Sequence, residues 1–440
     1  MALGIQDCRV LFSVTERRRR RRQRRLANAI CLSALLLGIH AKDTPAVAGD
    51  SILRALEFGG SVEVAYERQQ NFDIDRAAPD DVDLLPVELQ LELLFEPSDY
   101  VEIYLQSQLA RQFVLREEGE DEDRKTEFLL EEAYVSVKHP DLGLSLQVGR
   151  QSFEDDRQWL YDAELDAVRA AYRGSGLALE VSASRRALVN EDLLNTVDSE
   201  PVNNFILYGA YDPSEDITLG AYGILSDHRD RDARPAYLGL YSFGRIADRL
   251  TYWLDAAHML GREEGMSLRG YGLDALGVYH FDAPLSPYVI LGYAFGSGDA
   301  DRADDRDGTF RQTGLQGNEA EVGGFVPLSY YGEAFDPELS NMSIFTAGLG
   351  LRPSREVSID LLYHYYLQDE ASDELGDSAF DADPTGRSRR LGSEVDLVLG
   401  FQAFEDFEIR GYLGYFMPGR AFDGARDDAL YARIEMQFEF

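Results

Sequence analysis

The chain has 440 residues, 79 of them acidic and 43 basic, for a formal net charge of −36. So negative a chain has little attraction for nucleic acid, and two cysteines cannot build a disulfide framework. No apolar stretch reaches the ~20 residues of a spanning helix, whereas 24 Tyr, 23 Phe and 39 Gly suit a membrane barrel with aromatic girdles, a wet lumen and charged loops.

Nine arginines lie between positions 9 and 25, ahead of an apolar run over 26–39 and of Ala46-Val47-Ala48 before Gly49. A basic segment, a short apolar segment and an Ala-x-Ala site predict a secretory signal over 1–48. A nucleic-acid-binding arm is the rival reading of the arginines, but it has no use for the Leu-rich run. The leader is long enough to place the start codon downstream of Met1. Cys8 and Cys31 both fall within it, so residues 49–440, the expected barrel, carry no cysteine. They hold 33 basic and 76 acidic residues, net −43.

That remainder divides into about eighteen strand-length segments, an even number as single-chain bacterial barrels require. They start near Leu56, Leu84, Val101, Thr126, Leu144, Leu165, Leu177, Asn203, Ile217, Ala236, Leu250, Leu268, Ser286, Met342, Val357, Gly392, Phe407 and Asp428. Side chains alternate between the two faces of a strand. Phe58, Val62, Val64 and Tyr66 thus oppose Glu57, Glu63 and Glu67. Val87, Leu89, Leu91 and Leu93 oppose Glu88, Gln90 and Glu92, and Val395, Leu397, Leu399 and Phe401 oppose Glu394, Asp396 and Gln402. In the last segment Leu430, Ala432, Ile434, Met436, Phe438 and Phe440 share one face, and Tyr431, Arg433, Glu435, Gln437 and Glu439 the other. A strand in a soluble core alternates too, but this one closes on a terminal Phe, as outer-membrane barrels commonly do.

The connections alternate in length. Short turns such as Pro97-Ser98-Asp99, Pro140-Asp141, Pro213-Ser214-Glu215 and Glu405-Asp406 use residues that preset a turn dihedral or bond the nearby backbone. Between them lie longer polar stretches at 70–83, 114–125, 151–164, 188–202, 228–235, 262–267, 298–341, 369–391 and 418–427. Tight inner turns and larger outer loops are the order a membrane barrel needs. The fold class expected is therefore all-β, a membrane-spanning antiparallel barrel in one domain. Outer-membrane lipid and the barrel-assembly machinery, which commonly reads the terminal strand, are its expected partners.

From Gly149-Arg150-Gln151, through Asp155, Asp156, Trp159 and Asp162 to Leu165-Asp166-Ala167-Val168-Arg169, the chain resembles the alginate-export family. Phe310-Arg311-Gln312-Thr313-Gly314-Leu315, Tyr331-Gly332-Glu333-Ala334-Phe335, Glu338-Leu339-Ser340-Asn341 and Gly392-Ser393-Glu394-Val395-Asp396-Leu397-Val398 continue the likeness, with Leu362-Tyr363-His364 and Phe416-Met417-Pro418-Gly419. It runs from about residue 126 to the end. The resemblance implies an 18-stranded outer-membrane pore that releases an anionic polysaccharide such as alginate. It also implies a periplasmic polysaccharide-export scaffold as partner. Two departures stand out. The family's long periplasmic loop before the penultimate strand is a tight turn here, at 403–407, and Tyr330-Tyr331 precede Gly332 where alginate exporters carry a basic residue. Both point to a more open, less cationic lumen, as in a general porin of the same family.

A conduit for polyuronate should present cations at a narrow point. Arginine suits that role because it stays charged and grips a carboxylate with two parallel bonds. Arg150, Arg169 and Arg173 are the candidates, with Asp162 and Asp166 as neighbouring pore-lining carboxylates. The alternative is that each arginine pairs with a wall acid, such as Glu132, Asp162 or Asp166, and merely stiffens the barrel. No His-Glu-x-x-His or Gly-x-Ser-x-Gly is present, so no enzyme and no cofactor is expected. His364 reads as a lumen or girdle residue. Asp299, Asp301, Asp304, Asp305 and Asp307 with Gly308 lack the spacing of a calcium loop and read as a solvated loop without metal. A non-conducting structural or adhesive barrel is the other functional class.

Overall fold

The structure, a computed structural model, describes residues 55–76, 80–117, 126–155, 157–194, 201–228, 231–424 and 426–440. The predicted signal over 1–48, with Cys8 and Cys31, lies outside them, as do Asp156 and most of the charged run at 117–124.

The wall is built from β1 (Leu56–Gln70), β2 (Val82–Ser98), β3 (Val101–Glu117), β4 (Thr126–His139), β5 (Leu144–Glu154) and β6 (Asp162–Gly174). It continues with β7 (Leu177–Arg185), β8 (Asn203–Ser214), β9 (Ile217–Asp227), β10 (Ala233–Ile246), β11 (Leu250–Glu263) and β12 (Met266–His280). The last six are β13 (Tyr288–Gly296), β14 (Met342–Ser354), β15 (Val357–Gln368), β16 (Arg390–Phe404), β17 (Phe407–Pro418) and β18 (Ala429–Glu439). Each pairs antiparallel with the one before, and β18 returns to β1 from Ser61↔Glu439 to Gln70↔Leu430. The result is a closed 18-stranded antiparallel barrel. Every strand starts within three residues of its predicted position.

Parity explains the wall. Leu207, Leu240, Leu291, Leu349 and Val395 stand exposed on the outer face, a surface that only lipid makes favourable. Their sequence neighbours point into the lumen, where the hydrophobic core of this protein sits. No helix among the described residues is long and apolar enough to cross a membrane; the crossing is by strands. Closure has no free edge. Phe440 exchanges backbone hydrogen bonds with Gly60, at 3.0 and 3.1 Å, and completes the seal.

One seam departs from regular pairing. The β4–β5 ladder stops at Ala133↔Arg150, although β4 begins at Thr126 and β5 runs on to Glu154. Gly149 sits at this corner with φ +127, where a Cβ would strike the backbone of Ala133 and Tyr134. Residues from the β7–β8 loop fill the gap. The Leu130 amide donates to Glu191 O and the Leu193 amide to Phe128 O, at 3.0 and 2.9 Å.

Candidate functional site

The tight turn expected at 403–407 is present, since β16 ends at Phe404 and β17 begins at Phe407. The open lumen it implied is not. The connection between β13 and β14, residues 297–341, folds back inside the barrel, and residues 157–161 meet it there. Phe310, Leu315, Val326, Leu328, Tyr330, Tyr331, Phe335 and Leu339 of this plug are all buried. Burying apolar side chains in a loop is favourable by about 1.5–3 kcal/mol each, enough to hold an irregular segment against the inner wall.

Three polar anchors fix the plug. At the first, Arg157 Nη1 donates to Asp274 Oδ1 of β12 at 2.5 Å, Tyr331 OH donates to Asp274 Oδ2 at 2.6 Å, and Trp159 Nε1 donates to Tyr331 OH at 2.9 Å. Arg157 and Asp274 are 7% and 2% exposed, so each needs the other. Burial opposes the charge on Arg157, but Asp274, Tyr330 and Tyr331 outweigh it and raise its pKa. At the second, Glu394 of β16 accepts the Ala334 amide at 2.6 Å, the Phe335 amide at 3.1 Å and Tyr366 OH at 3.2 Å. Gly332 turns the chain there with φ +122, and Tyr366 and Glu394 leave no room for a Cβ. Phe335 then packs against Tyr366, Phe380 and Phe416. At the third, Gln312 and Asn318 bond each other while Gln312 also donates to Trp159 O. Burial raises the pKa of two plug carboxyls, Glu338 to about 7 and Glu333 well above its ordinary value.

The plug leaves one side of the lumen polar. The apolar core runs over the plug and the inner faces from β5 round to the start of β18 at Ala429. On β1, β2 and β3 the inward residues Glu63, Glu67, Glu88, Gln90, Gln106 and Gln108 keep partial exposure. Beside them Arg433 of β18 pairs with Glu63 at 2.9 Å, Glu67 at 3.2 Å and Glu435 at 2.9 Å. Arg410 of β17 pairs with Glu435 at 2.9 Å and Glu408 at 3.2 Å. The side chains of Arg433 and Arg410 are 24% and 19% exposed, against 0% for Glu394 and His364 and 1% for Asp396. The first group lines a solvent-touched lane; the second is sealed behind the plug.

The predicted site residues do not gather in one place. Arg150 is 3% exposed and serves the seam. Its guanidinium grips Asp166 at 3.1 and 3.0 Å and donates to Leu130 O at 3.1 Å and to Val189 O. Arg169 pairs with Glu180 at 3.1 Å and lies 3.9 Å from the Phe153 ring centroid. Arg173 is exposed, one residue before the β6–β7 turn. Asp162 meets the plug through its amide, which donates to Leu315 O. His364 is buried on the inner face, with Nε2 3.1 Å from Asp396 and Nδ1 2.9 Å from Thr346 Oγ1. Asp301, Asp304 and Asp305 are exposed and Asp299 is half-buried, and no metal-holding cluster occurs among the described residues. Sequence parity had already turned Arg433 and Glu435 inward; their pairing with β1 depends on barrel closure, which a one-strand reading does not contain.

The sequence profile of a family described as alginate export matches residues 54–434. The chain is 22% identical to the alginate production protein AlgE of Pseudomonas aeruginosa, over 90% of this chain and 94% of that one. A shorter match to the protein of the same description from Azotobacter vinelandii is 30% identical and spans about a quarter of either chain, 25% and 24%. Among solved structures, Pseudomonas aeruginosa OccK5 aligns with a TM-score of 0.58 at 12% identity, covering 88% of this chain and 99% of that one. Acinetobacter baumannii OccAB3 gives the same TM-score of 0.58 at 12% identity. Both establish the fold.

Proposed function

The chain belongs to the alginate-export family and is an outer-membrane channel, not an enzyme, and on that premise we propose that it passes small hydrophilic solutes along the polar lane, cations in preference to polyanions. The carrying observation is the ionic net of the lane: Arg410 and Arg433 stand among Glu63, Glu67, Glu408 and Glu435. Four carboxylates against two guanidiniums leave an acidic wall, and acidic linings favour cations. Reversal potentials across a planar bilayer in a KCl gradient test this. Preference for K⁺ is expected; preference for Cl⁻ refutes it. A barrel that carries no current is the structural or adhesive alternative.

A second reading, passage of a polyuronate, is favoured by the adjacency of Arg410 and Arg433 and by the names of the two curated relatives, both alginate production proteins. The wall glutamates already engage those guanidiniums as a uronate would, so a polyuronate would have to displace them. Block of the KCl current by oligogalacturonate supports this reading, and the periplasmic export scaffold is a proposed partner only within it. Of the pore-lining set expected from sequence, we carry Arg169 forward as a lumen residue. Arg150 and Asp166 are taken as wall ties, Asp162 as a plug contact and Arg173 as a rim residue.

A further inference from the structure

We propose that Glu319, carried on the plug rather than on the wall, sets the charge selectivity of the lane; this rests on reading the lane as the solute path. Glu319 opens a small antiparallel hairpin, Glu319–Glu321 against Pro327–Ser329. One face of that hairpin is committed to the wall. Ala320 and Leu328 are buried, Val326 lies over Gly400 of β16, and Gly324 lies against Asp360 and Ser358 of β15. Alternation along a strand turns the neighbouring side chain the other way. Glu319 accordingly is exposed. Val326 of the same hairpin lies over Gly400, the ladder partner of Arg410, which puts the hairpin next to the lane, where Arg410, Glu435 and Arg433 are the charged groups that act on Glu319. Its position is fixed from behind, because the Gly317 and Asn318 amides donate to Gln158 O at 3.0 and 3.1 Å and the Tyr330 amide donates to Asn318 O at 3.2 Å. Among the described residues no cation lies within ion-pair distance of Glu319.

On this proposal a plug carboxylate and the two wall guanidiniums act together on every ion that travels the lane. A cation is drawn to Glu319 and away from Arg410 and Arg433; an anion meets the reverse. Neutralising Glu319 leaves the wall guanidiniums less opposed, and a change of about one thermal unit in local potential shifts each monovalent ion by about threefold in opposite directions, so their permeability ratio changes by roughly sevenfold.

The test is the permeability ratio of K⁺ to Cl⁻, from reversal potentials of the full barrel, for Glu319→Gln, Glu319→Lys and Arg433→Gln. Heat-modifiable migration on gels confirms that each variant is folded. Glu319→Gln should lower the ratio roughly sevenfold, Glu319→Lys should lower it further, and Arg433→Gln should raise it. If Arg433→Gln shifts the ratio but neither Glu319 variant does, the lane stands and the role of Glu319 is overturned. If the parent lacks cation preference, that part of the functional reading fails, while a shift toward Cl⁻ in Glu319→Gln still supports this proposal and no shift overturns it. A parent that carries no current overturns both.

Discussion

Glu394→Ala should unlatch the plug. The carboxylate is fully buried and accepts two plug amides, from Ala334 and Phe335, plus Tyr366 OH. Leaving a buried donor without an acceptor costs about 1–3 kcal/mol, so the two amides alone disfavour the docked plug by roughly 2–6 kcal/mol. Since about 1.4 kcal/mol is a factor of ten, the released state should gain between one and four powers of ten in population. Glu394→Gln keeps the shape but turns an N–H group toward one of the amides, so it should give a smaller effect of the same sign. Single-channel recording in planar bilayers reads the change directly, as a higher conductance or as long openings absent from the parent. Liposome swelling with sugars of increasing size gives the matching rise in exclusion limit. A folded Glu394→Ala barrel with the parent's conductance, noise and exclusion limit would refute the latch.

Arg150→Gln should weaken the wall rather than alter selectivity. Breaking a buried pair by removing one partner costs about 3–5 kcal/mol, so heat-modifiable unfolding on gels should come at lower temperature with an unchanged K⁺/Cl⁻ ratio. Conductance should rise with pH between about 5 and 8. Burial raises the pKa of Glu338 to about 7 and that of Glu333 well above its ordinary value. A plug released into water would return them to the ordinary range near 4.5. The protonated carboxyls therefore favour docking fully below that range, and this contribution is lost as pH rises through 7; Glu338→Gln should flatten the profile, and conductance falling with pH contradicts the assignment. Deleting Phe440 should lower the yield of folded barrel without blocking secretion, because the residue closes β18 onto β1 through Gly60; normal yields would remove that argument.

The wall was legible because strand parity is local. Glu63 and Val64, or Glu394 and Val395, take opposite faces whatever the strand pairs with, and turn residues such as Pro213 and Ser214 mark where direction reverses. The plug was not legible for the opposite reason. Residues 297–341 carry no period of two, so they read as a long polar loop, and only the scatter of Phe310, Leu315, Val326, Phe335 and Leu339 among the acids hinted at burial. What a loop packs against is a non-local fact. The same limit applies to Arg150: its spacing on β5 allows an inward, solute-facing side chain, but the β4–β5 seam that consumes it appears only when the β7–β8 loop is placed.

The inner wall thus uses one residue type for two purposes, and solvent decides which. Behind the plug, Asp274 and Glu394 find amide, hydroxyl and guanidinium donors and act as anchors. In the lane, Glu63 and Glu67 stay partly wet beside Arg433, and on the proposed function they act as field charges. If this division holds, latch and selectivity should be separable. The two residues that lead into the Glu319 hairpin, Gly317 and Asn318, are tied to Gln158 through their amides, independently of Glu394, so unlatching residues 334–335 need not move it. In a double-mutant cycle the shift in K⁺/Cl⁻ ratio caused by Glu319→Gln should be the same in the Glu394→Ala background as in the parent, within the ~0.3–0.5 kcal/mol expected of independent sites. A shift abolished by Glu394→Ala would mean that the plug leaves as one body, taking its selectivity charge with it.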